Sequence, residues 1–445
     1  MTSLSRAMSD SPTGPDVRHP TSGSPGAPPT STLLAERNEM INRRKLIATG
    51  LGVTAGLVTA GCSRGSASGA AWSQPGLAAA SAPAGEVRVT VTPAADATKV
   101  SPLEQVVVAV EGGTLKDVSV ATGGKTVAGK LGSDGQTWRS TGKLAYGKTY
   151  TVAVSAADSA GALSQHKSSF RTVKPSGVAS VTFQASALTA LRDGGTYGVG
   201  QPVMVNFSKP VKNRAEAEKA MLVETTPAVE GRWRWIDGQN AHWRPAKYWT
   251  PGTKISVKVN LFGRDLGKGV YGGANASTNF AIGPSRIAIA DATTHRMKVY
   301  IDGKMVRDIP ISMGKGGTAV GANGEVISYW TRSGPHVVMT REPSHRMTSA
   351  SYGLVDPKDP NYYDEVIKLC LRISYSGEFV HMADWNIGAH GNRNTSHGCI
   401  NVGPADARWF YETFRPGDVV DVRNTPRHMT LTDGVGDWTV PWDKW

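Results

Sequence analysis

The residues best suited to covalent chemistry fall in two short runs, Phe379-Val380-His381 and Ser396-His397-Gly398-Cys399-Ile400-Asn401. Cys399 follows His381 by 399 − 381 = 18 positions. A thiol attacks only as thiolate, and an imidazole that accepts its proton is the usual way to form one near neutral pH. Cys399 is therefore the candidate nucleophile and His381 its base, with the second ring nitrogen held by a backbone carbonyl such as that of Met382. Gly398 permits a tight turn and leaves the amides of Gly398 and Cys399 to face a developing oxyanion. His397 has two readings: it orients the loop and lends backbone to that oxyanion site, or it is structural. A zinc site built from His381, His390, His397 and Cys399 fits poorly, because His397 and Cys399 are too close for a common ligand pair and no second thiolate is near.

The elements that must position these groups are strands and one short helix. Val402-Gly403-Pro404 opens a helix with proline at its first position, Ala407, Trp409, Phe410 and Phe414 supply its buried side, and Pro416-Gly417 stops it near Arg415. Upstream, Ile367 to Ile373 reads as a strand in which Cys370 is a small buried thiol; a Cys370–Cys399 disulfide is the alternative. Gly283-Pro284 marks a boundary before Arg286–Ala290 and Met297–Ile301. Asp302-Gly303 then turns the chain into Met305–Gly314.

Ser-His-Gly-Cys-Ile-Asn with Phe-Val-His before it resembles the active-site signature of the L,D-transpeptidases, whose YkuD-type domain cross-links peptidoglycan. Papain-like and NlpC-type hydrolases place cysteine before histidine, and the Thr-Leu-x-Thr-Cys pattern of sortases is absent. The resemblance, strengthened by the Ser312-Met313-Gly314-Lys315 run, implies a β-rich catalytic domain over 284–423 with a short helix after Cys399. It also implies that Cys399 forms a thioester on a peptidoglycan tetrapeptide stem, releases D-alanine and passes the acyl group to a second stem as a 3→3 cross-link. No cofactor is implied, and carbapenem-type β-lactams are implied as inhibitors. Ser376, Gly377 and Asn401 match positions that line the donor site. Tyr363, 399 − 363 = 36 residues before the cysteine, matches the lid tyrosine, although Tyr362 competes for that register. The runs Arg341–Arg346 and Val355–Pro360 depart from the family and read as altered loops at the substrate entrance. An L,D-carboxypeptidase and a non-catalytic peptidoglycan-binding lipoprotein are the alternatives.

At 445 residues and 47.0 kDa the chain exceeds one ordinary core, and 51 glycines with 26 prolines suit many short strands, so a mainly β protein is expected. A net charge of +13 comes from lysines and arginines spread along the chain, without a dense run or nucleic-acid motif. That distribution excludes a nucleic-acid partner and fits an anionic cell envelope. Three cysteines are too few for a disulfide framework. A monomer is expected.

Residues 1–39 have the Ser/Pro/Thr/Gly composition of a disordered segment. Arg43-Arg44 followed by apolar Leu46–Ala60 reads as a secretory signal for Sec or Tat, too short to span a membrane as a helix. Val58 to Ser63 resembles a bacterial lipobox, with Thr59 where leucine is usual, and makes Cys62 the lipidated first residue of a mature protein; a plain cleaved signal and an uncleaved anchor are the alternatives. The chain divides into 1–62 as extension and signal, 63–85 as flexible tether, 86–174 and 175–283 as immunoglobulin-like modules, 284–423 as catalytic domain and 424–445 as a tail. The folded part is expected on the outer face of the cytoplasmic membrane. A loose repeat supports the two modules: Asp134-Gly135-Gln136 and Asp237-Gly238-Gln239 each read as a hairpin turn leading to Trp138 or Trp243. These indoles are expected to fill cores, with sugar stacking as the alternative. Trp438, Trp442 and Trp445 are too costly to leave in water, so the tail is expected to pack on the catalytic domain or its junction with the second module.

Overall fold

Valine alternation builds the first region: along Val107–Glu111 and Thr149–Asp158 successive side chains switch between buried and partly exposed, as a half-buried pleated strand requires. The computed structural model describes residues 86–322 and 324–445. The readings for residues 1–85, including lipidation at Cys62, lie outside them. Two four-stranded sheets face each other around Val108, Val152, Trp138 and Phe170. A five-stranded and a four-stranded sheet then enclose a second apolar cluster that includes Phe207, Trp243, Trp249 and Phe280.

The repeat seen in sequence has a common geometry. Asp134 Oδ1 accepts from the amides of Gln136 and Thr137 at 2.9 and 3.1 Å, and Asp237 Oδ1 from those of Gln239 and Asn240 at 2.6 and 2.8 Å. Beyond each turn the tryptophan lies across a glycine: a Cβ on Gly129 would sit 1.9 Å from the Trp138 ring, and one on Gly231 would sit 2.1 Å from that of Trp243. Both indoles are buried, which makes them core filling and leaves no open face for a sugar.

Residues from Arg286 onward form a nine-stranded sheet in the order Gly334–Val337, Val419–Arg423, Arg286–Asp291, Arg296–Ile301, Lys304–Ser312, Ile400–Val402, Phe379–Met382, Asp364–Arg372, Thr340–Thr348. The Phe379–Met382 and Ile400–Val402 strands run parallel, with His381 beside Asn401. The helix spans Pro404–Thr413 with Pro404 in its first turn and buries Ala407 and Phe410. Trp409, expected on the buried side, is only partly covered and lies under the Arg307 guanidinium at 4.4 Å. The Arg341–Arg346 run is not a loop. It lies within the edge strand Thr340–Thr348, where proline at 343 leaves no ladder donor missing from a sheet interior.

The second module and the catalytic domain meet through backbone as well as side chains. The amides of Gly198 and Gly200 donate to the carbonyls of Pro416 and Gly417 at 3.0 and 2.8 Å. Met204, Val337, Met339 and Val435 form an apolar plug against which Tyr375 and Trp438 pack. The tail was expected on the catalytic domain or its junction, and Val435 and Trp438 do lie at that junction, but Trp442 and Trp445 continue onto the second module. Arg232 and Arg244 are cross-strand partners there, and Arg244 stacks on Trp438, Trp442 and Trp445 with 4.8, 5.6 and 4.2 Å to the ring centres. Arg244 also donates to the Val440 carbonyl at 2.6 Å, and His242 Nδ1 lies 2.9 Å from Asp437 Oδ1. A guanidinium desolvated among three indoles is worth more than the same contact in water. Arg244→Ala is expected to cost roughly 2–4 kcal/mol in chemical unfolding. Lys258→Ala, which breaks the exposed 2.9 Å pair with Glu224, should change stability by less than about 1 kcal/mol.

Candidate active site

Cys399 stands immediately before the Ile400–Val402 strand, on a loop tied down on both sides. Ser396 donates its amide to the Met313 carbonyl at 3.0 Å and accepts from the Lys315 amide at 2.8 Å, so the Ser312–Lys315 run holds the loop in register. Ser396 Oγ donates to the Cys399 carbonyl at 2.6 Å and accepts from the Gly398 amide at 3.1 Å. Gly398 has φ of 141°, a conformation that side chains rarely adopt. Because the Gly398 N–H is taken by Ser396, the pair of oxyanion donors read from sequence reduces to one: among the described residues the Cys399 amide makes no hydrogen bond, while that of Gly398 does.

The Cys399 thiol faces the Gly377 carbonyl at 3.6 Å. His381 is buried and its Nδ1 lies 2.8 Å from the Met382 carbonyl. A carbonyl only accepts, so Nδ1 carries the proton and Nε2 is left with its lone pair. Burial pushes the Cys399 thiol up to about 12, with Glu378 adding to the rise and the Phe379 amide opposing it. Burial likewise pulls His381 down to about 4, against the Met382 bond. Burial thus disfavours the thiolate and the imidazolium alike in the resting protein.

Two cavities meet at Cys399. One, of about 150 Å³, is lined by His381, Trp385, Asn386 and Asn401. The other, of about 200 Å³, is lined by Trp330, Arg332, Tyr352, Ser376, Gly377 and Arg427. Tyr363 and His397 border both. Trp385 stacks beside the His381 ring at 6.0 Å. In the first cavity Asn401 is buried and its Oδ1 has no hydrogen-bond partner among the described residues.

The structure brings His381, Gly398, His397, Tyr363, Ser376, Gly377 and Asn401 around Cys399 but divides the expected donor-site residues, with Asn401 on one side of the sulfur and Ser376 and Gly377 on the other. Tyr363, and not Tyr362, reaches the cavities; its ring lies 5.0 Å from His397. Burial raises its phenol to about 12. His397 accepts at Nε2 from Lys315 Nζ at 3.1 Å, and Lys315 also donates to Asn361 Oδ1 at 2.7 Å. Burial and then the Lys315 charge pull His397 down to about 4, so it stays neutral. His390 Nε2 lies 3.0 Å from Asn386 Oδ1. Cys370 is fully buried and free; a positive φ at Leu369 turns it to the face of Ile367 and Phe379, against which Cys399 packs. Trp330, Arg332, Tyr352, Trp385 and Arg427 were not found from sequence, since each sits in a different segment.

Residues 285–422 match the family of L,D-transpeptidase catalytic domains, and residues 97–265 match the bacterial Ig domain family. The chain is 39% identical over 330 residues to L,D-transpeptidase 2 of Mycobacterium tuberculosis, an overlap of 72% of this chain and 74% of the relative. This chain belongs to the L,D-transpeptidase family. This transpeptidase is also 33% identical over 364 residues to L,D-transpeptidase 5 of Mycobacterium tuberculosis, covering 80% of this chain and 76% of that one. Among solved structures it matches Mycobacterium tuberculosis L,D-transpeptidase 3 in complex with a faropenem-derived adduct, at 29% identity and a TM-score of 0.42 over 55% of this chain and 98% of that chain.

The protonation state of the transpeptidase's thiol is open to direct measurement. Iodoacetamide labelling of Cys399, read by intact mass, should rise roughly tenfold per pH unit from pH 7 to 10. An acid plateau would show a stored thiolate–imidazolium pair. In residues 86–445, which leave out Cys62, Cys399→Ala should take up no label, because Cys370 is inaccessible in the folded protein.

Proposed function

We propose that this transpeptidase forms 3→3 cross-links in peptidoglycan through a thioester on Cys399. The observation that carries the reading is a thiol at the meeting point of two cavities, one of them also lined by an imidazole whose Nδ1 is committed to Met382. A donor tetrapeptide stem lies across the sulfur, with its third, diamino acid residue on the His381 and Asn401 side and its terminal D-alanine on the Ser376 and Gly377 side. His381 Nε2 takes the thiol proton as Sγ bonds to the carbonyl carbon, and the Cys399 amide holds the oxyanion. The proton then passes to the departing amine as the C–N bond breaks. The side-chain amine of a second stem attacks the thioester from the vacated side, its proton returns through Nε2 to the sulfur, and the cross-link is released. His397 orients the Ser396–Cys399 loop, and Tyr363 closes over both cavities.

Carbapenem-type β-lactams acylate the same sulfur in this reading, since a strained lactam carbonyl meets the same nucleophile and oxyanion donor. Export by Sec or Tat and a lipid on Cys62 would place the reaction on the outer face of the cytoplasmic membrane, where its substrate lies.

Mass spectrometry of residues 86–445 with a disaccharide-tetrapeptide tests the reaction. Wild-type protein should release D-alanine and form a cross-linked dimer, while Cys399→Ala and His381→Ala should each lose at least about 10³-fold in rate. A carbapenem should add its mass to the wild type and not to Cys399→Ala. Release of D-alanine with only hydrolysed tripeptide, even with excess acceptor, would indicate a carboxypeptidase. No turnover by folded protein that is retained on peptidoglycan would leave a wall-binding protein.

A further inference from the structure

Five segments of the chain supply the wall of the second cavity, and one of them lies beyond the matched catalytic domain. Arg427 belongs to the tail, past the end of the family match at residue 422, yet its side chain lines the cavity with Gly398 and Cys399. The other cation of this wall, Arg332, is paired with two carboxylates. Its Nε lies 3.0 Å from Asp433 Oδ2, and its Nη1 lies 3.2 Å from Glu378 Oε1 and 2.6 Å from Ser376 Oγ. His336 Nε2, at 3.3 Å, takes the second Glu378 oxygen. Glu378 and Asp433 are thereby committed, and Glu325 stands at the rim. Arg427 is partly buried and uses a single side-chain donor, Nη1 to the Ser328 carbonyl at 3.2 Å. Among the described residues it has no ion pair. A guanidinium has five N–H donors, and a partly buried one with most of them free of protein partners is matched by a carboxylate, which it can grip with two parallel bonds.

We propose that Arg427 recognises the free α-carboxylate of the D-amino acid end that occupies the second cavity. The assignment rests on the proposed transpeptidation and adds a specificity determinant to it. The leaving D-alanine and the incoming amine share one chemistry when the acceptor centre bears a free carboxylate: both are an amine on a D-configured carbon beside that group. One guanidinium therefore serves both halves of the reaction. It holds the carboxylate one residue beyond the scissile bond in the donor, and then the carboxylate beside the attacking amine in the acceptor. It also explains a need for a tetrapeptide donor, since a further residue would move the carboxylate away from the guanidinium.

Exchange of labelled D-alanine into a disaccharide-tetrapeptide isolates this contact, because the label enters by the reverse of the leaving step. D-Alaninamide, which lacks the carboxylate, is the paired probe, and both are measured by mass spectrometry with residues 86–445, which span the whole described region. Arg427→Met should lower kcat/KM for D-alanine as the incoming amine roughly 10- to 100-fold relative to wild type while leaving kcat/KM for D-alaninamide unchanged, both taken at saturating tetrapeptide so that slower acylation by the donor does not enter the ratio. Arg427→Lys should recover part of the loss, and iodoacetamide labelling of Cys399 should be the same in all three proteins. An equal fall for D-alanine and D-alaninamide in Arg427→Met, or no fall in either, would overturn the inference. A wild type that releases D-alanine from the tetrapeptide but uses both amines equally well would overturn it too and leave the transpeptidation intact. A wild type that releases no D-alanine removes the transpeptidation reading and this one together.

Discussion

The hydrogen bond from His381 Nδ1 to the Met382 carbonyl is the contact on which the rest of the site depends. It fixes the tautomer without a carboxylate, so no buried negative charge stands behind the ring to favour imidazolium. With the thiol pushed up and the imidazole pulled down by the same burial, a charged pair in the resting protein would be costly. Under the proposed reaction, charge separation waits for the moment when a tetrahedral oxyanion can share it. His397, held neutral beneath Lys315, follows the same economy of charge.

Positioning comes from far along the chain. The Ser312–Lys315 run pairs with Ser396, the turn over Ser374–Glu378 brings Gly377 to the sulfur, and Asp433 of the tail clamps Arg332 and Ser376 behind that turn. The tail thus does two jobs. Its tryptophans sandwich Arg244 of the second module, and its earlier residues complete the wall of a cavity at Cys399. The module junction and the cavity at Cys399 are thus joined through one tail segment.

Much of this was legible in the sequence. The spacing of His381 and Cys399, the helix behind Pro404 and the alternating strands are local patterns, and local patterns survive in a linear reading. The cavity walls are not local: Trp330, Tyr352, Trp385 and Arg427 come together only when the nine-stranded sheet is assembled. Pro343 hid an edge strand because its cost in a sheet depends on whether a neighbour needs its amide, which sequence alone does not state. The landing place of the tail did leave a trace. Arg232 and Arg234 alternate along one strand and Arg244 pairs across from Arg232, a column of cations matched to the three tail indoles. The Gly398 amide misled for a simpler reason: a serine two residues earlier captured it.

The backbone bonds between Gly198–Gly200 and Pro416–Gly417, together with the Arg244 stack, bear on how such chains can be reshuffled during evolution. A recombination event that cut at the Gly283-Pro284 border would separate two halves of one interface and strip a cavity of its neighbouring support. The heritable unit is the second module, the catalytic domain and the tail together. The first module touches the second through a smaller contact at Tyr146, whose hydroxyl bonds to Gly263 and Gly272 at 2.9 and 2.8 Å. Exchange, loss or multiplication of modules is thus favoured on the amino-terminal side of residue 175, where fewer partners would have to change at once.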